Sequence, residues 1–206
     1  MIRSALLVHG MGRSRLSMLR LAHALRVAGI ESYQFGYFTA WESVDRIAGR
    51  LSLRIAELAT GDYVLIGHSL GGVLLRLAVA SLPPDVRRPA RLIMIGTPNR
   101  SPLLARRFEH AWWYRIRNGE VGRFLASEAR MARLPDPGIP CTVIAGTRGI
   151  HQSWSPFGAE ENDGLVSVSE TEFPAAEEWI KVDARHVSMM NHRETRRLIV
   201  ERCTLR

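Results

Sequence analysis

Tyr63-Val-Leu-Ile-Gly67-His68-Ser69-Leu70-Gly71-Gly72-Val-Leu-Leu75 joins a short apolar run to a run with helical spacing, and the joint between them is the pentapeptide G-x-S-x-G. A sharp strand-to-helix turn is the natural reading. Such a turn forces its central residue into a strained backbone conformation and brings neighbouring backbone close, so glycines at 67 and 71 remove side chains that would collide. Composition alone would produce the pentapeptide in about one chain in ten of this length. Its placement between a β-type run and a helical one is therefore what carries the information. A glycine-rich phosphate loop is the competing reading, but neither G-x-G-x-x-G nor G-K-[ST] is present.

Outward from this joint, short apolar runs alternate with longer amphipathic ones to both ends of the chain. Strand-like stretches are Ser4 to Val8, Glu31 to Phe35, Tyr63 to Ile66, Arg91 to Ile95, Thr142 to Ala145 and Trp179 to Val182. Helical patterns lie at about Arg15 to Val27, Val44 to Leu58, Gly72 to Ala80 and Arg193 to Arg202, with Gly29 and Gly61 as stops after two of them. The pattern predicts an α/β fold, a three-layer α/β/α sandwich around a mostly parallel six-stranded sheet, in one domain spanning 1–206. Two segments break the alternation: a helical insert at about 101–133, and the irregular stretch His151 to Asp163.

With 206 residues and 46% hydrophobic content the chain can bury a core without disulfides or metals. No apolar run reaches the roughly 20 residues needed to cross a bilayer, and Ala5 to Val8 is too short for a signal peptide, so the expected location is cytoplasmic. Cys141 and Cys203 read as reduced, structural thiols. The formal charge is +8, almost all of it arginine, because Lys181 is the only lysine. No zinc-finger spacing, RNA-binding aromatic motif or lysine-rich arm accompanies the charge, which argues against a nucleic-acid partner.

A serine hydroxyl is a poor nucleophile at neutral pH and needs an imidazole in reach, itself oriented by a carboxylate. Ser69 is the candidate nucleophile. His186 follows the last strand by a few residues and is the candidate base; His9, His68 and His151 sit at less suitable places, and His192, at the start of the final helical pattern, is the remaining rival. Asp163, in Asn162-Asp163-Gly164-Leu165-Val166, is the candidate orienter, ahead of Asp136 in a Pro-flanked turn and Asp183 close to His186. The backbone N–H of Leu70, and that of Met11 in Val8-His9-Gly10-Met11-Gly12, are the candidate oxyanion donors. No metal site is expected.

These residues resemble the α/β-hydrolase superfamily, and within it the lipase-like serine esterases, including bacterial minimal lipases and the GPI inositol-deacylase-like group. The matching stretches are His9-Gly10-Met11-Gly12, Gly67 to Gly72, Gly96-Thr97-Pro98-Asn99, Asp163-Gly164-Leu165-Val166 and His186, which span almost the whole chain in order. The resemblance implies hydrolysis of a carboxylic ester through an acyl-enzyme, with Ser69, Asp163 and His186 as a triad and no cofactor. Because the chain opens at the first strand and carries no secretion signal, bulk triglyceride digestion is not expected. Acyl transfer, amide cleavage by the same triad, and a non-catalytic binding module on the same scaffold are the alternative readings.

In the insert, Leu104, Phe108, Trp112 and Ile116 recur four apart, the spacing of one helical stripe. The plain expectation is a helix packed on the sheet edge. The sharper one is a lid over an acyl pocket, with His9, Trp112 and Trp113 touching a small-molecule or lipid ester. In that reading Arg106, Arg107, Arg115 and Arg117 meet an anionic membrane surface.

Overall fold

The computed structural model describes residues 2–204. Six strands, β1 (Ser4–Val8), β2 (Glu31–Phe35), β3 (Tyr63–His68), β4 (Arg91–Ile95), β5 (Cys141–Gly146) and β6 (Glu178–Val182), form one sheet in the order β2-β1-β3-β4-β5-β6. Every neighbouring pair is parallel. The expected sheet is present, and three of its strands run one or two residues beyond their sequence-derived limits.

Because successive strand residues point to opposite faces, each central strand feeds two cores. Leu6, Val8 and Leu65 pack on one face with Val44, Ile47, Leu51 and Ile55 of α2 (Val44–Leu58) and with Val73 and Leu74 of α3 (Leu70–Ala80). Ala5, Leu7, Val64 and Ile66 face the other way, toward Leu21, Ala22 and Leu25 of α1 (Leu19–Val27) and Leu198 and Ile199 of α7 (Arg193–Thr204). Three layers follow. Each fully buried Leu or Ile contributes about 1.5–3 kcal/mol, so the central strands, apolar on both faces, anchor whatever is mounted at their ends.

The helices start where their caps allow. Ser43 accepts a hydrogen bond from the Arg46 N–H at 3.3 Å and opens α2. The first helical pattern is split: Arg15–Met18 forms a 3-10 turn and the α-helix begins only at Leu19. Both cysteines are buried free thiols, with burial pushing Cys141 up to about 11 and Cys203 to about 12. Among the described residues no helix is long and apolar enough to cross a membrane.

The insert departs from the single-stripe expectation. It consists of α4 (Leu103–Phe108), α5 (Trp112–Ala126) and α6 (Glu128–Ala132), and α5 is itself kinked at Gly119 (φ 55°, ψ −136°). Ala111 is extended (ψ 124°), which resets the helical phase between Phe108 and Trp112. A four-residue spacing therefore no longer keeps side chains on one face. Phe108 turns inward, whereas Trp112 and Ile116 are 73% and 70% exposed.

Candidate active site

Ser69 sits between β3 and α3 with φ 53° and ψ −123°, the one non-glycine residue with positive φ among those described. L-residues rarely adopt such a conformation, and it persists only where the surroundings over-determine it. Here they do. The Ser69 N–H donates to Ile95 O at 2.8 Å, its carbonyl accepts from the Gly72 N–H at 3.0 Å, and a Cβ at residue 67 would lie 2.4 Å from Gly72 N. A Cβ at residue 71 would lie 2.3 Å from Val8 O, so the start of α3 is pressed against the end of β1.

Ser69 Oγ lies 2.9 Å from His186 Nε2, and His186 Nδ1 lies 2.6 Å from Asp163 Oδ2. The three residues, remote in sequence, are brought together in one line. Asp163 and His186 are 2% and 5% exposed. The other carboxylate oxygen of Asp163 accepts from the N–H groups of Leu165 (3.0 Å) and Val166 (2.8 Å), which fixes the carboxyl plane. With Nδ1–H held by the carboxylate, Nε2 is left as the acceptor facing Ser69. His186 opens a 3-10 turn (His186–Asn191) rather than a loop, and Val166 and Val168 are buried without forming a strand.

The β1 loop reaches the same place. A Cβ at Gly10 would lie 3.1 Å from Ser69 Cβ, so the backbone leading to Met11 runs beside the serine. Neither the Met11 nor the Leu70 N–H has a protein acceptor among the described residues, as expected for the first N–H of a helix in the case of Leu70.

Of the three residues expected to touch substrate, Trp113 lines the cleft and two do not. The cleft above Ser69 has a volume of about 540 Å³, with Pro98, Leu104, Phe108, Leu125 and Val166 among its apolar walls. Trp112 points to solvent. His9 is 1% exposed and stacked on Tyr37 (centroids 4.2 Å apart), whose hydroxyl donates to His9 O at 2.6 Å; its role is to shape the β1 loop.

The contacts of three residues escaped sequence reasoning. His68 donates from Nε2 to the His186 carbonyl at 2.9 Å, and burial first, then the neighbouring His186, hold its pKa well below the ordinary imidazole range. Glu170, buried, accepts from the N–H groups of Leu103 (2.5 Å) and Ser167 (2.9 Å), clamping the start of the insert to the Asp163 loop. Arg76, buried in α3, donates to Leu134 O, Pro135 O and Asn99 Oδ1, closing the other end of the insert. His68 and Arg76 act on partners distant in sequence, so no local signal marks them, whereas Ser167 and Glu170 exchange hydrogen bonds three residues apart in an S-x-x-E capping-box pattern that the sequence does display.

A parallel sheet carrying a strained serine on a strand-to-helix turn, with a histidine and a carboxylate on later loops, defines a hydrolase of the α/β class. The chain belongs to the alpha/beta hydrolase family, whose model matches residues 5–200. It is similar in structure to the mature lipase BlEst2 of Bacillus licheniformis, at 18% identity and TM-score 0.79, over 99% of this chain and 93% of that one. It is also similar to the metagenomic carboxyl esterase MGS0156, at 17% identity and TM-score 0.77 over 98% and 74% of the two chains. Similarity to the phospholipase PlaB of Legionella pneumophila is lower, at 20% identity and TM-score 0.61, over 82% of this chain and 44% of that one. No curated protein matches the chain significantly by sequence.

Proposed function

We propose that the chain is a serine carboxylester hydrolase that works through an acyl-enzyme. The observation carrying this reading is the unbroken line from Ser69 Oγ through His186 to Asp163, at 2.9 and 2.6 Å. In the first half-reaction Ser69 Oγ attacks the ester carbonyl while His186 Nε2 takes its proton. The Asp163 carboxylate keeps the ring in the acceptor tautomer and stabilises the imidazolium that forms. Negative charge on the carbonyl oxygen is met by the N–H groups of Met11 and Leu70. Collapse of the tetrahedral adduct breaks the bond to the alcohol oxygen, which leaves with the proton from His186. Water, activated by the same histidine, then attacks the acyl-Ser69 and releases the acid.

The apolar walls of the cleft suit an acyl chain, and its volume falls within the 300–1,000 Å³ range of small-molecule sites. The lipase and esterase names of the structural neighbours agree with this choice of chemistry. The test is hydrolysis of p-nitrophenyl esters from acetate to palmitate by wild type and Ser69→Ala. Turnover lost in the variant is the expected result. Equal activity in both would remove Ser69 as nucleophile, and inertness of both would turn attention to amide substrates, acyl transfer or a binding role.

A further inference from the structure

The residues lining the cleft include two guanidiniums, Arg13 and Arg117, and no carboxylate. They come from different elements. Arg13 follows Met11-Gly12 on the β1 loop, and its Nη2 donates to Val187 O at 3.1 Å, next to His186. Arg117 reaches in from α5 and has no ion-pair or hydrogen-bond partner among the described residues, whereas Arg106 and Arg130 of the same insert are paired with Glu128 and Glu120. Arg117 approaches Gly12, the residue before Arg13: a Cβ there would sit 3.8 Å from Arg117 Nη2 and 3.9 Å from its Nε. Two residues after Arg117 the helix kinks at Gly119, where a Cβ would lie 2.9 Å from Ala40 O.

Pro98, Leu104, Phe108 and Leu125 provide the apolar wall for an acyl chain. With the acyl chain on that wall, the cationic pair, near Gly12 and beside Val187, would face the alcohol side of the ester. Two planar forks of fixed positive charge match a phosphate monoester, which carries about −1.5 to −2 charge near neutral pH and three acceptor oxygens. We propose that Arg13 and Arg117 select a carboxylic ester whose alcohol bears a phosphate group. The inference rests on the hydrolase reading for the orientation of the ester, but the charge match itself does not depend on turnover.

The probes are monobutyrylglycerol and its phosphate monoester, titrated calorimetrically into Ser69→Ala. The phosphorylated ester should bind about tenfold tighter or better, the low end for charge-assisted hydrogen bonds at an exposed rim. In Ser69→Ala carrying Arg13→Gln and Arg117→Gln, that ratio should fall to about one. The ratio within each variant is the readout, so a general loosening of the cleft cancels. A second arm uses the palmitoyl pair embedded in neutral phosphatidylcholine vesicles. An arginine-dependent phosphate preference in the short-chain arm assigns a soluble phosphoester, and one seen only in vesicles assigns a lipid headgroup. No arginine-dependent preference in either arm overturns the proposal. Failure of the wild type to hydrolyse either ester would instead sink the hydrolase reading and leave the binding result standing.

Discussion

His186 is held to Asp163 twice: its ring Nδ1 lies 2.6 Å from Oδ2, and its backbone N–H donates to the Asp163 carbonyl at 3.0 Å. The backbone link survives any change of side chain, so the electrostatic and tautomeric part can be removed alone. In Asp163→Asn the amide oxygen can keep the Leu165 and Val166 N–H groups, which turns the NH2 toward His186 Nδ1. The ring must then carry its proton on Nε2 and cannot accept one from Ser69. Turnover should fall roughly 10³- to 10⁴-fold with little change in KM. Steady-state kinetics on a p-nitrophenyl ester check this, and a loss under tenfold would show that Asp163 does not orient the base.

Glu170 ties the insert to the loop bearing Asp163, and Glu170→Ala leaves the Leu103 and Ser167 N–H groups without their acceptor. Each buried orphan costs about 1–3 kcal/mol, partly offset because burial already raises the pKa of Glu170 and so disfavours its charged form. A net loss of about 2–3 kcal/mol is expected, a fall in Tm of roughly 5–10 °C. KM for a long-chain ester should rise as well, since Leu104 and Phe108 of α4 line the cleft. Unchanged melting would show that the insert docks without this clamp.

The acid limb of stability should be set in part by His68 and His9. Desolvation lowers both below the ordinary value near 6.5. For a base with a depressed folded pKa, the unfolded chain takes up protons first, so stability is lost as pH falls below about 6.5. The slope is about 1.4 kcal/mol per pH unit for each such histidine. Urea unfolding at pH 7.5, 6.5 and 5.5 measures it, and His68→Gln, which keeps an N–H donor for the His186 carbonyl, should reduce the slope by about one proton. A flat profile would mean that both histidines accept protons readily in the folded state.

Much of the architecture was legible because it is local. Short apolar runs located all six strands, and β1, β2 and β4 have their sequence-derived limits. The candidate serine, histidine and carboxylate could be ordered along the chain because strand-to-helix turns put loops at one edge of a parallel sheet. The insert was less legible. Reading Leu104 to Ile116 as one stripe assumed an unbroken helix, and the extended Ala111 breaks that assumption. Spacing rules hold only within a continuous element.

What the amino-acid sequence determined by itself is the sheet, its helices and the turn at Ser69, since burial patterning and the glycines at 67 and 71 act over a few residues. What only the tertiary structure decided is which side chains meet: His68 against the His186 carbonyl, Glu170 at the head of the insert, and Arg117 beside Gly12. Those contacts are set by how layers and loops pack after the chain has folded back on itself. A hydrogen bond 2.9 Å long between residues 118 positions apart leaves no trace in the local pattern.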